Sequence, residues 1–291
     1  MSFDARSPVI IAGIEEGLAA AELQSRVLNT HVVDEHGERR IPLREAIETL
    51  LLLDVTAFAF VQCQIDDVIR VLREMGIDRM PFVFAGERNS REPVPIVYYN
   101  DRHNGNMAAS HLISRGCNRF IYFGADDKTW AVNRLAGVRD ALHSRGFGDD
   151  ALKTILASTP HLGTSDPNEW IRFAREALSG IDPLLMAGVG VVASNDFWAL
   201  AYMEAAARAG LSAGSDYKII GFDDVSAARE CGLTSLRPPL AAMGAQACAL
   251  LRSVLAGNAT MQGACLRSLL VMRASTSDVG TPRISTPRTS P

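Results

Sequence analysis

The sequence predicts an α/β protein whose parallel sheets carry helices on both faces, and three observations lead there. Short β-branched or aromatic runs alternate along the chain with longer segments of helical period, the pattern of parallel strands joined by crossover helices. Apolar runs break off abruptly at polar residues: Val189 to Ser194 runs into Asn195-Asp196, and Lys218-Ile219-Ile220-Gly221-Phe222 delivers Asp223-Asp224. Glycines at Gly76, Gly116, Gly146 and Gly210 follow the helical segments, where a chain leaving a helix turns left-handed.

Taken in order, strands are expected at 26–28, 57–61 (Ala-Phe-Ala-Phe-Val), 82–85 (Phe-Val-Phe-Ala), 96–99 (Ile-Val-Tyr-Tyr), 120–123 (Phe-Ile-Tyr-Phe), 189–193, 218–220 and 269–272. Helices are expected between them, at 9–24, 43–52, 66–75, 104–114, 133–144, 167–178, 196–209 and 240–255, with Pro167 at a favourable first-turn position. Two successive βα-rich halves fit two Rossmann-like lobes, and 291 residues suffice for one large domain or two smaller ones. The last stretch, Ser277 to Pro291, holds three prolines, three threonines, three serines and two arginines without an apolar face, and is expected to be a disordered tail.

Composition narrows the function. With 47% hydrophobic and 21% charged residues the chain can bury a core, and a net charge of -4 argues against a broad grip on phosphates, so nucleic acid is not an expected partner of this segment itself. The five cysteines are widely spaced and never form a C-x-x-C pair, which reads as reduced thiols. The first residues lack a basic run followed by an apolar one, and no apolar stretch approaches membrane-spanning length, so a cytoplasmic setting is expected. Enzymatic readings find little: there is no G-x-S-x-G elbow, no G-x-x-x-x-G-K-[ST] loop and no H-E-x-x-H pair, and the six histidines are scattered. No enzyme activity, cofactor or metal is expected.

Spaced signatures then converge on one family. Asp101, Gly105, Ala108, His111-Leu112-Ile113 and Gly116 lead into Arg119 to Gly124, and Arg134-Leu135-Ala136-Gly137-Val138 follows. Ser194-Asn195-Asp196 with Ala199, Gly221-Phe222-Asp223-Asp224 and Leu233 to Pro238 complete the series. In this order they resemble the effector-binding part of LacI/GalR-type transcriptional regulators. The resemblance implies a periplasmic-binding-protein-like fold of type I: two lobes with three crossovers and a ligand in the cleft. It implies a first lobe of 1–125 plus 238–259 and a second of 126–237 plus 260–276. Family members begin with a helix-turn-helix and a hinge helix, for which no counterpart precedes Ser2. Helix 1 is expected almost at once, at Val9, so the first strand of the first lobe is expected to be missing too.

In an open parallel sheet, ligands bind beyond the carboxyl ends of strands, which aims Asp223 at such a crevice. A hydroxylated ligand needs acceptors for its protons and donors for its oxygens. Asp223 offers two acceptor oxygens, Arg134 a planar fork of donors, and Asn195 both kinds of group; the family's effector contacts fall at these three matching positions. The bland alternatives are a structural ion pair for Arg134 and a turn cap for Asp223. Lys128 and Trp130 follow the fifth strand, where the family also places contacts, and the Trp130 ring either stacks on a ligand or is simply buried. Asn104 and Asp101 are further candidates, with Asp101 alternatively capping its helix. The segment Asp4-Ala5-Arg6-Ser7 stands where the family has N-P-F-F, which makes Arg6 and Ser7 polar candidates in place of an aromatic wall. As adjacent residues on a strand, Asp223 and Asp224 are expected to point to opposite faces, leaving Asp224 structural.

The expected function is that of a small-molecule effector-binding and dimerisation domain of a LacI/GalR-type regulator sensing a sugar, nucleoside-like compound or related metabolite. Operator DNA is then a partner only through a helix-turn-helix absent from this chain. The alternative is a solute-binding protein of a sugar transport system, against which the missing export signal counts.

Overall fold

The computed structural model describes residues 6–34, 37–157, 167–179, 186–258 and 263–277. The predicted tail beyond Ser277 and the strand expected to be missing before helix 1 lie outside the described residues. The chain forms two compact units, one holding the residues up to Asn100 with Pro238–Ser268, the other most of Asp101–Arg237 with the segment from Leu269 onward.

The first unit opens with α1 (Arg6–Ala19), a hairpin of β1 (His31–Asp34) and β2 (Gly37–Arg40), and α2 (Leu43–Leu51). Then come β3 (Phe58–Val61), α3 (Ile65–Glu74), β4 (Phe82–Ala85) and β5 (Ile96–Tyr99); α9 (Leu240–Leu255) and β11 (Ala264–Leu266) return to it late in the chain. Its sheet is parallel throughout, in the order β11-β5-β4-β3. Side chains alternate across the pleat. Val83 and Ala85 face Ile10, Ile14, Met243 and Ala247 of α1 and α9, whereas Phe84 faces Ile47, Val68 and Leu72 of α2 and α3.

The second unit has six strands in the order β12-β10-β9-β8-β6-β7, parallel except where β12 runs against β10. They are β6 (Phe120–Ala125), β7 (Leu152–Ala157), β8 (Gly190–Ala193), β9 (Lys218–Phe222), β10 (Thr234–Arg237) and β12 (Leu269–Val271). One face carries α4 (Asp101–Ser114) and α5 (Thr129–Ser144), which pack on Phe120, Tyr122, Val192 and Ile220. The other carries α6 (Pro167–Leu178) and α7 (Asp196–Arg208), on Ile121, Phe123, Val191 and Ile219, and a short α8 (Ser226–Glu230) follows β9.

Several expectations change. Residues 26–28 form no strand: Val27 is 55% exposed and so gains nothing from sheet burial. The boundary expected at 125 falls at Asn100 instead, because β6 pairs with β7 and β8 and α4 lies against α5, tying both elements to the second unit. Residues 264–266, expected in the second lobe, join the first sheet by pairing with β5. Of the strands not anticipated, Leu152–Ala157 and Thr234–Arg237 carry polar residues that interrupt the apolar pattern.

The helices α4 and α5 pack closely against each other. Gly105 on α4 faces the Arg134 carbonyl and Gly137 on α5 faces the Arg102 carbonyl, so closely that a Cβ on either would overlap backbone oxygen. Backbone on backbone, the two helices cannot separate to make room. Gly137→Ala is therefore expected to destabilise the protein by about 1–3 kcal/mol despite the better helix propensity of alanine, read as a lower denaturant midpoint with an unchanged slope.

Candidate functional site

Three strand ends and one helix start converge in the second unit: β6 leads through Asp126–Lys128 into α5, β8 through Ser194 and Asn195 into α7, β9 through Asp223–Val225 into α8, and α4 opens at Asp101. Arg134 is the side chain they share. It projects from α5 and is only 2% exposed. Its Nε donates to Asp101 Oδ1 at 2.7 Å and its Nη1 to the Ser194 carbonyl at 2.6 Å. The guanidinium lies 4.9 Å from the Trp130 ring centroid and 4.3 Å from that of Phe222, a cation–π arrangement in which both rings exclude water. Its Nη2 comes to 4.0 Å of Asp223 Oδ1.

Asp223 is the acceptor that stays open. Its Oδ1 is buried and has no hydrogen-bond partner among the described residues. Its backbone is unusual as well: φ is 97° at Asp223 and 53° at Asp224, left-handed values that a residue with a Cβ adopts at a cost of about 1–3 kcal/mol. The expectation that the two aspartates alternate across a strand is thus corrected. β9 ends at Phe222, and both lie in the left-handed turn that follows.

Asp224 has the structural role expected of it, by a different route. Its buried carboxylate accepts from Arg237 Nε and Arg273 Nη2, each at 2.6 Å, while its carbonyl accepts from Arg229 Nη2 at 2.9 Å. Burial opposes its ionisation, but the hydrogen bonds from Arg273 and Arg237 outweigh that and hold its pKa below the usual carboxylate value.

The remaining candidates separate. Asn195 caps α7, its side-chain oxygen accepting from Trp198 N at 3.1 Å, so one of its polar atoms is committed locally. Asp101 is buried and ion-paired to Arg134, and Asn104, also buried, lies one helical turn further along α4. Lys128 immediately precedes α5, with its Nζ 2.6 Å from Asp127 Oδ2. Arg6 and Ser7 belong to the first unit, at the start of α1, where Arg6 Nη1 lies 3.4 Å from the Tyr99 hydroxyl. Asp4 and Ala5 lie outside the described residues.

Sequence reasoning missed Asp196, Ser235 and Gln62. Asp196 is fully buried beneath the Asp223 turn, and Gly221 leaves the space its Oδ1 occupies. Burial, reinforced by the nearby Asp223 charge, pushes its pKa well above the ordinary value. Its sequence signal is Ser194-Asn195-Asp196, which reads as a helix start. In the first unit Gln62, directly after β3, has a left-handed φ of 55° and a buried Nε2 without a hydrogen-bond partner among the described residues.

Comparison with known proteins identifies this architecture. The sequence profile of the periplasmic binding protein-like domain matches residues 109–276. The chain belongs to that family. Among its relatives, the arabinose metabolism transcriptional repressor of Geobacillus stearothermophilus is 31% identical over 174 residues, covering 59% of this chain and 46% of that protein. The HTH-type transcriptional regulator DegA of Bacillus subtilis is 29% identical over 183 residues, covering 62% and 51%. The chain thus spans about half the length of the curated relatives it matches. A solved LacI family transcriptional regulator from Enterococcus faecium, with ribose bound, superimposes with a TM-score of 0.70 at 20% identity, covering 94% of this chain and 95% of that one. Among the described residues no helix is long and apolar enough to cross a membrane.

Two outcomes follow from the geometry. Arg134→Met leaves Asp101 buried without its cation and should cost about 3–5 kcal/mol in chemical denaturation, so it is a poor variant for isolating binding. The stability that Asp224 supplies is present above the ordinary carboxylate pKa of about 4 and is lost as pH falls through its lowered folded value. Asp224→Asn should therefore melt below the wild type at neutral pH, with the gap narrowing as pH falls below about 4 in a series of thermal scans.

Proposed function

We propose that the carboxyl edge of the second unit binds a small hydroxylated effector, and that the chain is the effector-binding and dimerisation part of a LacI/GalR-type transcriptional regulator. The observation that carries this reading is Asp223: a buried, unpartnered carboxylate oxygen beside a desolvated guanidinium, held on strained backbone. Strain and an unsatisfied acceptor both cost stability, and together they are the mark of a site kept for a ligand. Hydroxyl groups suit it well, donating to Asp223 and accepting from Arg134, with the Trp130 ring available to the apolar face of a sugar. Asn195, Lys128, Asn104 and Asp101 are assigned to the same edge. Arg6 and Ser7 are assigned as polar effector contacts by the family resemblance alone.

A sugar or related metabolite is the effector class we favour, supported by a relative named for arabinose metabolism and by a neighbour of the same fold with ribose bound. Operator DNA would be contacted through a helix-turn-helix region, as the naming of the relatives suggests, by a homodimer in the cytoplasm. Transcriptional regulators among the relatives favour this reading over a transport protein.

Titration calorimetry with D-ribose, L-arabinose, other pentoses and hexoses, and nucleosides should find at least one ligand. Asp223→Ala should weaken it by roughly ten- to a hundredfold, the worth of a hydrogen bond to a charged group. Silence across the panel, or equal binding by Asp223→Ala, overturns the assignment.

A further inference from the structure

We infer that Asp196 is a positioning residue, which holds the left-handed turn that aims Asp223 at Arg134. Its functional meaning rests on the reading of Asp223 as a ligand acceptor; the structural argument does not.

A turn in which two successive non-glycine residues have φ of 97° and 53° relaxes unless its surroundings fix it. Three consecutive backbone amides leave β9, and each has one partner. Asp223 N donates to the Leu236 carbonyl at 2.9 Å, Asp224 N to Ser235 Oγ at 3.0 Å and Val225 N to Asp196 Oδ2 at 2.9 Å. Ser235 Oγ in turn donates to Asp196 Oδ1 at 2.8 Å, which spends its proton there and turns a lone pair toward Asp224 N. One carboxylate therefore secures two of the three amides, the first directly and the second through the serine. On the far side of the turn the arginines around Asp224 complete the hold.

Asp196 cannot itself be the ligand contact. It is fully buried, and both of its oxygens are engaged within the turn. What it adds is registration. It opens α7 two residues after Ser194, whose carbonyl receives Arg134 Nη1. The donor and the acceptor of the proposed site are thus both referred to a single junction, the one between β8 and α7.

The test is a double-mutant cycle on stability with a spectroscopic readout, and it needs no ligand. Asp196→Ala, Asp196→Asn and, should Asp196→Ala fail to fold, Ser235→Ala are each made in the wild-type and Asp223→Gly backgrounds. Glycine adopts the left-handed conformation unaided, so the loss in Tm caused by Asp196→Ala should shrink to less than half in the Asp223→Gly background. In the wild-type background the Asp223 Cα chemical shift should leave the left-handed range. Asp196→Asn should restore both readings, since its amide oxygen still accepts from Val225 N and its amide nitrogen can reach Ser235 Oγ. An equal Tm loss in both backgrounds, or an unmoved Asp223 shift, makes Asp196 an ordinary core residue and overturns the proposal. Because neither reading uses an effector, a silent sugar panel would count against the binding assignment alone.

Discussion

A guanidinium buried among protein groups organises the second unit. Arg134 gives up its hydration and recovers it from fixed partners: the Asp101 carboxylate, the Ser194 carbonyl and two aromatic faces. Each partner comes from a different element, so the buried charge is compensated only while α4, α5 and the ends of β8 and β9 keep their places. The glycine contact between α4 and α5 makes the first of these placements rigid. The electrostatic arrangement and the close helix packing are thus one constraint met by two kinds of residue.

At the turn that follows β9 and the helix start beneath it, three aspartates divide the work according to environment. Asp224, surrounded by arginines, is held in its ionised form; Asp196, sealed away, accepts from one hydroxyl and one amide; Asp223 keeps an oxygen without a hydrogen-bond partner among the described residues. Identical chemistry is thus split among an anchor, a brace and an open acceptor by burial and neighbours alone. A strained turn is tolerable here because hydrogen bonds from buried neighbours offset its cost.

The fold was largely legible in the sequence, because alternation of β-branched runs with helical segments and glycine stops is a local signal that survives packing. Strands such as Phe82–Ala85 and Ile96–Tyr99 appear within the described residues where the pattern places them. Arg134, Asn195 and Asp223 were legible as candidates because they sit at strand ends or in quoted motifs. Less legible was whatever depends on tertiary pairing. Thr234–Arg237 reads as polar, yet its serine is a buried relay and its arginine half of a clamp. The lobe boundary failed for the same reason: sequence order does not disclose that α4 turns back onto α5. The left-handed turn was hidden too, since aspartate, unlike glycine, does not advertise a positive φ.

The edges of the six-stranded sheet bear on solubility. β7 and β12 close its order, and an edge strand is a template on which another chain can add. β12 is three residues long, runs antiparallel and is followed by Arg273, whose side chain turns inward to Asp224, so little straight backbone is offered there. β7 is six residues long, and the exposed Lys153 within it sets a charge beside any strand that would add there. The unit thus ends on one side in a strand too short to extend and on the other in one guarded by a lysine, an arrangement that favours a dispersed protein over an aggregating one.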